Sequence, residues 1–321
     1  MNILIFGAGT IGIHISYILK SNKNNIYIYV RKKKSDLENY SINLKIKDNS
    51  KLISTHKISN EKNLFFINDI KIFKKIKLDY IFVTAKITNS ADQIFKKLNT
   101  IINKKTFIIT PCTVLPNWWL EKYGDNKKFN NFIPTNKSIC MTMWISGVKK
   151  GENITIKHTQ RGYPIKEINI RGKTAASNLR QMILKKSKSP LIKNPYSEIY
   201  LKVINSFAFN LIAIKYNQNN NQLSKNKLAL LDINLIMEEF DNIMIDLGLE
   251  ITQSVKSRIS QTLSSKKHTM SMLHDFRLKK ALELNNQWKS LNKIKNISIN
   301  KVTNSHKNFK FVMNKINDNN I

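Results

Sequence analysis

The chain begins MNILIFGAGTIGIHISYILK, and no other stretch constrains the fold as much. Residues 3–6 form an unbroken apolar run, the pattern of a strand buried on both faces of a parallel sheet. Gly7, Gly9 and Gly12 follow as G-x-G-x-x-G, and the residues behind them carry apolar groups at helical spacing. A lone glycine fingerprint is a weak signal. Between a buried strand and a helix it has the context its chemistry requires. The first glycine permits a tight turn, the second lets backbone approach a pyrophosphate, and the third lets helix and strand pack closely. The free amides at the helix N-terminus then favour phosphate charge. The expected dinucleotide cradle is Gly7, Gly9, Thr10, Ile11 and Gly12. The alternative is a tight turn with no ligand.

Strand and helix patterns alternate through the first half. NNIYIYV, KLDYIFVTAK (77–86) and KKTFIITPC (104–112) read as strands, and SADQIFKKLNTII reads as an amphipathic helix. Such alternation implies a parallel α/β sheet. TMWISGVKK and residues 152–170 alternate more like antiparallel strands, and 173–187 reads as one helix. SKSPLIKNPYSE (187–198), with two prolines, is a connection. Beyond about residue 197 every element reads as helical. LLDINLIMEEFDNIMIDLGL has a core stripe, with Gly248 placed as its C-terminal cap. The Asn/Gln-rich segment 216–227 reads as a loop. The expected fold class is α/β: an N-terminal Rossmann-type parallel sheet domain, residues 1–190, followed by an all-α C-terminal domain, residues 191–321.

Composition enters through charge. The formal net charge is +33 over 321 residues, which raises a nucleic-acid reading. The basic residues are almost all lysine; arginine stands only at 31, 161, 171, 180, 258 and 277. Arginine is the better fork for phosphate and base edges. The lysines are also spread along the chain among many Asn and Ile, so a solvated lysine surface is expected, with salt-sensitive adhesion to polyanions and no specific nucleic-acid partner. The two cysteines, Cys112 and Cys140, form no metal-ligand spacing and fit a reducing cytoplasm. No run of 18 apolar residues suggests a membrane partner.

The second strand ends at Arg31, followed by Lys32, Lys33 and Lys34. An acid at this place would bind the ribose hydroxyls of NAD, whereas a basic residue suits the 2′-phosphate of NADP. Arg31 therefore points to NADPH. Asp36 is the competing acid, but it lies past the strand end.

In the helical half, YLKVINSFAFNLIAIKYN (200–217) is largely apolar, yet Lys202, Ser206 and Asn210 recur at four-residue spacing and so share one face. Such a stripe suits a wall facing a substrate; a lysine snorkelling to water beside a serine is the other reading. A second cluster is TMSMLHDF (269–276), with Ser271 and Asp275 four apart, followed by Glu283. Alone it reads first as a capping serine and a solvated acid, and only second as a substrate contact.

Together these pieces resemble the ketopantoate reductase (2-dehydropantoate 2-reductase) family, and the resemblance covers most of the chain. It rests on the glycine fingerprint, the basic residue after strand two, VTAK ending in Lys86, KVINSFAFN, and SMLHD with Glu283 eight residues on. The resemblance implies NADPH-dependent reduction of a 2-oxo acid, a small-molecule substrate, with ketopantoate the named candidate. It implies that Lys202 is the catalytic acid and that Glu283 holds the substrate hydroxyl and helps position Lys202. Asn210, Ser271 and Ser206 would contact substrate, and Lys86 would lie near the cofactor. A homodimer is compatible with it. Four places depart from the family pattern: Ser206 stands where an asparagine is expected, with Asn205 on the wrong face, Pro111-Cys112 stands for Asn-Gly, Lys279-Lys280 stands for Gly-Arg, and a later Asn-Gly is absent. They keep open a related reductase of another 2-oxo or amino acid, and a noncatalytic NADPH- or polyanion-binding protein.

Overall fold

The structure, a computed structural model, describes residues 1–48, 51–87, 91–110, 113–125, 133–266 and 268–318. The chain divides into two compact units. One comprises Met1–Lys86, Ser90–Cys112 and Asn130–Pro195; the other comprises Ile87–Asn89, Thr113–Phe129 and Tyr196–Ile321. Two short segments thus leave the first half to join the second unit, which a linear division at residue 190 does not foresee.

The first unit holds the strands β1 (Asn2–Phe6), β2 (Asn25–Tyr29), β3 (Ser41–Asp48), β4 (Lys51–Ser59), β5 (Leu64–Ile67), β6 (Tyr80–Val83), β7 (Phe107–Ile109), β8 (Ser138–Met141), β9 (Trp144–Lys150), β10 (Asn153–Gly162) and β11 (Ile165–Glu167). Its helices are α1 (Thr10–Leu19), α2 (Ala91–Asn99) and, after the next unit's α3 (Asn117–Tyr123), α4 (Lys173–Leu184). Seven strands form one sheet in the order β11-β8-β7-β6-β1-β2-β5, parallel except for the edge strand β11. Apart from that edge strand, the order is that of a Rossmann fold. It reverses between β1 and β6, and the glycine turn leaves β1 at that switch point, where ligands bind in open α/β sheets. β1 is apolar after Asn2 because both faces are covered: Ile3, Leu4 and Ile5 have no exposure.

A second sheet, β4-β3-β10-β9, was legible only in part. β9 and β10 pair antiparallel, as their alternation suggests. The β3–β4 hairpin was not foreseen, although Ile42, Leu44 and Ile46 alternate as a one-faced strand and are buried. This sheet explains the burial of α1, which lies against β1 and β2 and also against β3, β9 and β10. Covered this way, even His14 is sealed off, its Nδ1 2.6 Å from the Tyr163 hydroxyl.

The second unit is helical, with α3, α5 (Pro195–Tyr216), α6 (Asn220–Leu223), α7 (Lys227–Asp246), α8 (Val255–Leu263), α9 (Ser271–Arg277), α10 (Leu284–Leu291) and α11 (Thr303–Asp318). Its core is aromatic. Phe207 of α5 stacks on Trp288 of α10 and meets Phe240 of α7 edge-on, while Trp288 stacks on Phe309 of α11 with ring centroids 4.8 Å apart. Glu239 of α7 caps α11, its carboxylate accepting from the Asn304 and Ser305 amides at 2.7 and 2.9 Å. Gly248 ends α7 at φ +67, and Leu249 N–H reaches back to the Met244 carbonyl. α5 is long and apolar enough to cross a bilayer by length and composition, but 89% of its most apolar window is buried, as in a core helix. Segment 216–227 is more ordered than expected. Asn219 and Gln222 form a reciprocal capping box, so the same Asn/Gln richness that signals a loop nucleates the one-turn helix α6.

Candidate active site

In the first unit the glycine turn has the geometry its spacing requires. Gly7 has φ +127, and a side chain there would meet the Ala85 backbone nitrogen at 2.6 Å. At Gly12 a side chain would strike the Gly7 carbonyl and the Thr84 hydroxyl, which itself bonds Gly7 O at 2.9 Å. These two glycines let α1 and the end of β6 close on the turn. Gly9 differs: nothing lies within 4 Å of the place its side chain would occupy. It is the N-cap of α1, with no side chain capping the helix and no acid in the first turn. A bare helix N-terminus behind an open glycine fits a dinucleotide pyrophosphate, with Thr10 and Ile11 as the first helical residues.

Arg31 follows β2 and is exposed. Lys32, beside it, lies over the Tyr40 ring and 3.8 Å from the Glu152 carboxylate. Asp36 sits in an exposed 3-10 turn beyond the strand, bonded by the Ser35 hydroxyl. Lys86 is exposed in the loop after β6.

In the second unit, α5 settles where its polar stripe lies. Between Ser197 and Ile214 every residue is buried except Lys202 and Ser206, which are half-buried and one turn apart. Asn210, the third member, is 4% exposed. Its Nδ2 donates to the Ser206 carbonyl at 2.7 Å and the Ser206 hydroxyl at 3.2 Å, and its Oδ1 accepts from Met272 N–H at 3.1 Å. Asn210 thus ties α5 to the first turn of α9, next to Ser271. Ser271 is the exposed first residue of α9, one place beyond the N-cap Met270. Asn205 bonds Thr262 of α8 at 3.2 Å and so faces away from this stripe.

Glu283 stands at the N-cap position of α10 and accepts from Ile87 N–H at 2.8 Å. Asn286 donates to the carbonyl of the same Ile87 at 3.0 Å. One turn on, Gln287 has no exposure; its Nε2 reaches the Thr113 carbonyl at 2.8 Å and the Ser206 hydroxyl at 3.2 Å. Its Oε1 is buried with no hydrogen-bond partner among the described residues. The structure therefore gathers Ser206, Asn210, Met272 and Gln287 into one network, and places Glu283 at the head of the helix that supplies Gln287. Sequence reasoning missed Gln287 and Asn286. The available signal was their spacing, three and four residues after Glu283, which puts all three on one helix face. Pro111 and Cys112 lie outside the described residues. Among the described residues no group of acids, histidines and cysteines could hold a metal ion.

The fold that carries these features has counterparts among known proteins. The chain shares its fold with 2-dehydropantoate 2-reductase from Geobacter metallireducens GS-15 at 13% identity, covering 98% of this chain and 100% of that one, with a TM-score of 0.75. It is similar over 99% of both chains to a dimeric ketopantoate reductase from Staphylococcus aureus, at 14% identity and a TM-score of 0.68. It also resembles D-mandelate dehydrogenase, whose structure holds NADH and anilino(oxo)acetate, over 100% of both chains at 16% identity and a TM-score of 0.74. At these identities the likeness establishes the fold. No curated protein sequence matches the chain at a significant level. The family model described as Ketopantoate reductase PanE/ApbA matches residues 3–168 of 321, just over half the chain and including the glycine turn. The chain therefore belongs to the ketopantoate reductase (PanE/ApbA) family of oxidoreductases.

Proposed function

We propose that this chain uses NADPH to reduce a 2-oxo acid, and that the acid is 2-dehydropantoate. The product, pantoate, would feed pantothenate and coenzyme A synthesis in the cytoplasm. In this reading residues 1–190 form the cofactor domain and 191–321 the substrate domain. The observation that carries the reading is the face of α5, where between Ser197 and Ile214 only Lys202 and Ser206 are part-exposed. Polar side chains left part-exposed on such a helix are the ones a ligand can reach.

The bound nicotinamide would supply the hydride. As negative charge grows on the substrate carbonyl oxygen, Lys202 stabilises it by a hydrogen bond and then delivers the proton. Ser206 already accepts N–H groups from Asn210 and Gln287, so its own hydrogen is the one it can offer substrate. Glu283, fixed by the Ile87 amide, accepts from the substrate hydroxyl and helps position Lys202. Ser271, exposed at the start of α9, binds the carboxylate. Asn210 acts one step back, because its amide is already committed to Ser206 and Met272. Arg31 binds the cofactor 2′-phosphate and Lys86 lies beside the cofactor. The proposed assembly is a homodimer, as the Staphylococcus aureus protein is.

A second reading keeps the chemistry and changes the acid. It is favoured by Ser206, a shorter side chain than the expected asparagine, with the Gln287 amide lodged against it. NADPH oxidation with ketopantoate beside a panel of 2-oxo acids tests both. Clear preference for ketopantoate is the expected result; comparable turnover of several unrelated acids would transfer the assignment to the second reading.

A further inference from the structure

The second sheet brings a cation to the glycine turn that the sequence did not single out. Lys149 lies on the edge strand β9, and its ammonium donates to the Ala8 carbonyl at 3.0 Å. Ala8 is the residue between the first two glycines of the fingerprint. Two residues back on the same strand face, Gly147 packs on the Thr10 methyl so closely that no side chain would fit. β9 therefore runs along the turn, and positions 147 and 149 both address it.

Lys149 also lies within electrostatic reach of Lys32, the neighbour of Arg31. Lost hydration beside the turn holds its ammonium below the usual lysine pKa, Lys32 lowers it further, and Glu152 partly offsets both. The single carboxylate in this cluster, Glu152, is 3.8 Å from Lys32 and highly exposed. Two ammonium groups within electrostatic reach of each other repel. An anion placed between them would relieve that cost. One bond to Ala8 leaves an ammonium two further donors.

We infer that Lys149 is a cofactor-binding residue: with Lys32 and Arg31 it holds the 2′-phosphate of the dinucleotide, and so sets the preference for the phosphorylated cofactor. The inference rests on reading the glycine turn as the cofactor cradle. The alternative role, a pin that holds the turn, would affect both cofactors alike. Glu152 competes with the phosphate for Lys32, and its removal should help the phosphate.

The test is binding, not turnover. Kd values for NADPH and NADH are measured by fluorescence titration. Those for adenosine 2′,5′-bisphosphate and adenosine 5′-monophosphate are measured by calorimetry, with thermal melts of each variant alongside. The intact chain should prefer both 2′-phosphorylated ligands. Lys149→Met, which keeps the stem, should weaken NADPH about tenfold and NADH less than about twofold. Lys149→Arg should retain the preference, and Glu152→Gln should tighten NADPH alone. Equal weakening of both cofactors, or an unchanged NADPH-to-NADH ratio in Lys149→Met, overturns the inference and leaves the cofactor reading standing. An intact chain with no preference for NADPH overturns both.

Discussion

The two functional regions of this molecule are built by opposite means. The glycine turn is a backbone site. Its shape follows from three missing side chains and a helix start, all within residues 7–12. The α5 region is a side-chain site. Ser206, Met272, Gln287 and Thr113 meet there from four distant parts of the chain. A backbone site is specified by local geometry and can be read from a short motif. A side-chain site exists only once several helices have packed, and each member is ambiguous alone.

The largest effect belongs to the side-chain region. Lys202→Ala should lower turnover by about 10²–10⁴, the range for a positioned general acid, equivalent to about 3–5 kcal/mol in the barrier. The fold should survive, because the position is half-buried and alanine suits a helix. NADPH binding, measured separately, should persist, since the phosphates are held by the glycine turn. Near-normal turnover in a folded, NADPH-binding variant would mean that Lys202 only snorkels.

The difference in construction explains what was legible. The Rossmann order of the first sheet, the helical second half and the glycine turn followed from periodicity and one motif. The β3–β4 hairpin was passed over although Ile42, Leu44 and Ile46 alternate plainly, because its partner β4 is mostly exposed and, with Leu52 and Ile53 adjacent, shows no matching alternation. Asn210 was read as a substrate ligand from the family resemblance, and no sequence signal showed that its amide would also bond Ser206 and Met272. Gln287 was missed because its spacing from Glu283 marks only a shared helix face, and nothing in NNQWKSL says that this face will meet α5. Lys149 was hidden for another reason: among so many lysines, one is distinguished only by where its strand runs.

Within the backbone region the three glycines should not be equivalent. Gly7→Ala forces a side chain onto a positive φ and into the Ala85 backbone, and should cost about 2–4 kcal/mol of stability. Gly9→Ala meets open space and should change stability by less than about 0.5 kcal/mol, yet it should weaken cofactor binding by intruding where phosphate approaches. Denaturant melts and cofactor titrations on the two variants separate these outcomes. If Gly9→Ala bound cofactor normally, the turn would be a structural corner and not a cradle.

The next effect tests whether side chains at the edge of the backbone site add selectivity. Arg31→Asp should weaken NADPH by about 1.5–3 kcal/mol, the worth of a charge-assisted hydrogen bond, and less if Lys32 compensates. NADH should be less affected. Equal losses for the two cofactors, measured as Kd, would remove Arg31 from the 2′-phosphate.

The smallest effect falls on Gln287, and it sharpens the contrast because this residue touches no expected ligand. Gln287→Met keeps the length and burial of the side chain but removes its hydrogen bonds to Thr113 and Ser206. The Thr113 carbonyl loses a donor at a site with no exposure at position 287, a loss of about 1–3 kcal/mol. That loss is partly offset, because the Gln287 Oε1 is itself buried without a partner among the described residues and methionine removes that burden. The net destabilisation should be about 1–2 kcal/mol, read from a denaturant melt. The functional readout is different in kind. With Gln287 gone, the Ser206 hydroxyl can turn to other acceptors, so KM for the 2-oxo acid should rise while cofactor Kd stays fixed. A variant comparably destabilised in the core of the other unit, such as Ile183→Val in α4, should leave KM unchanged. If both variants raise KM alike, Gln287 supports the fold and nothing more. If only Gln287→Met does, the side-chain site extends one layer behind the residues that meet substrate.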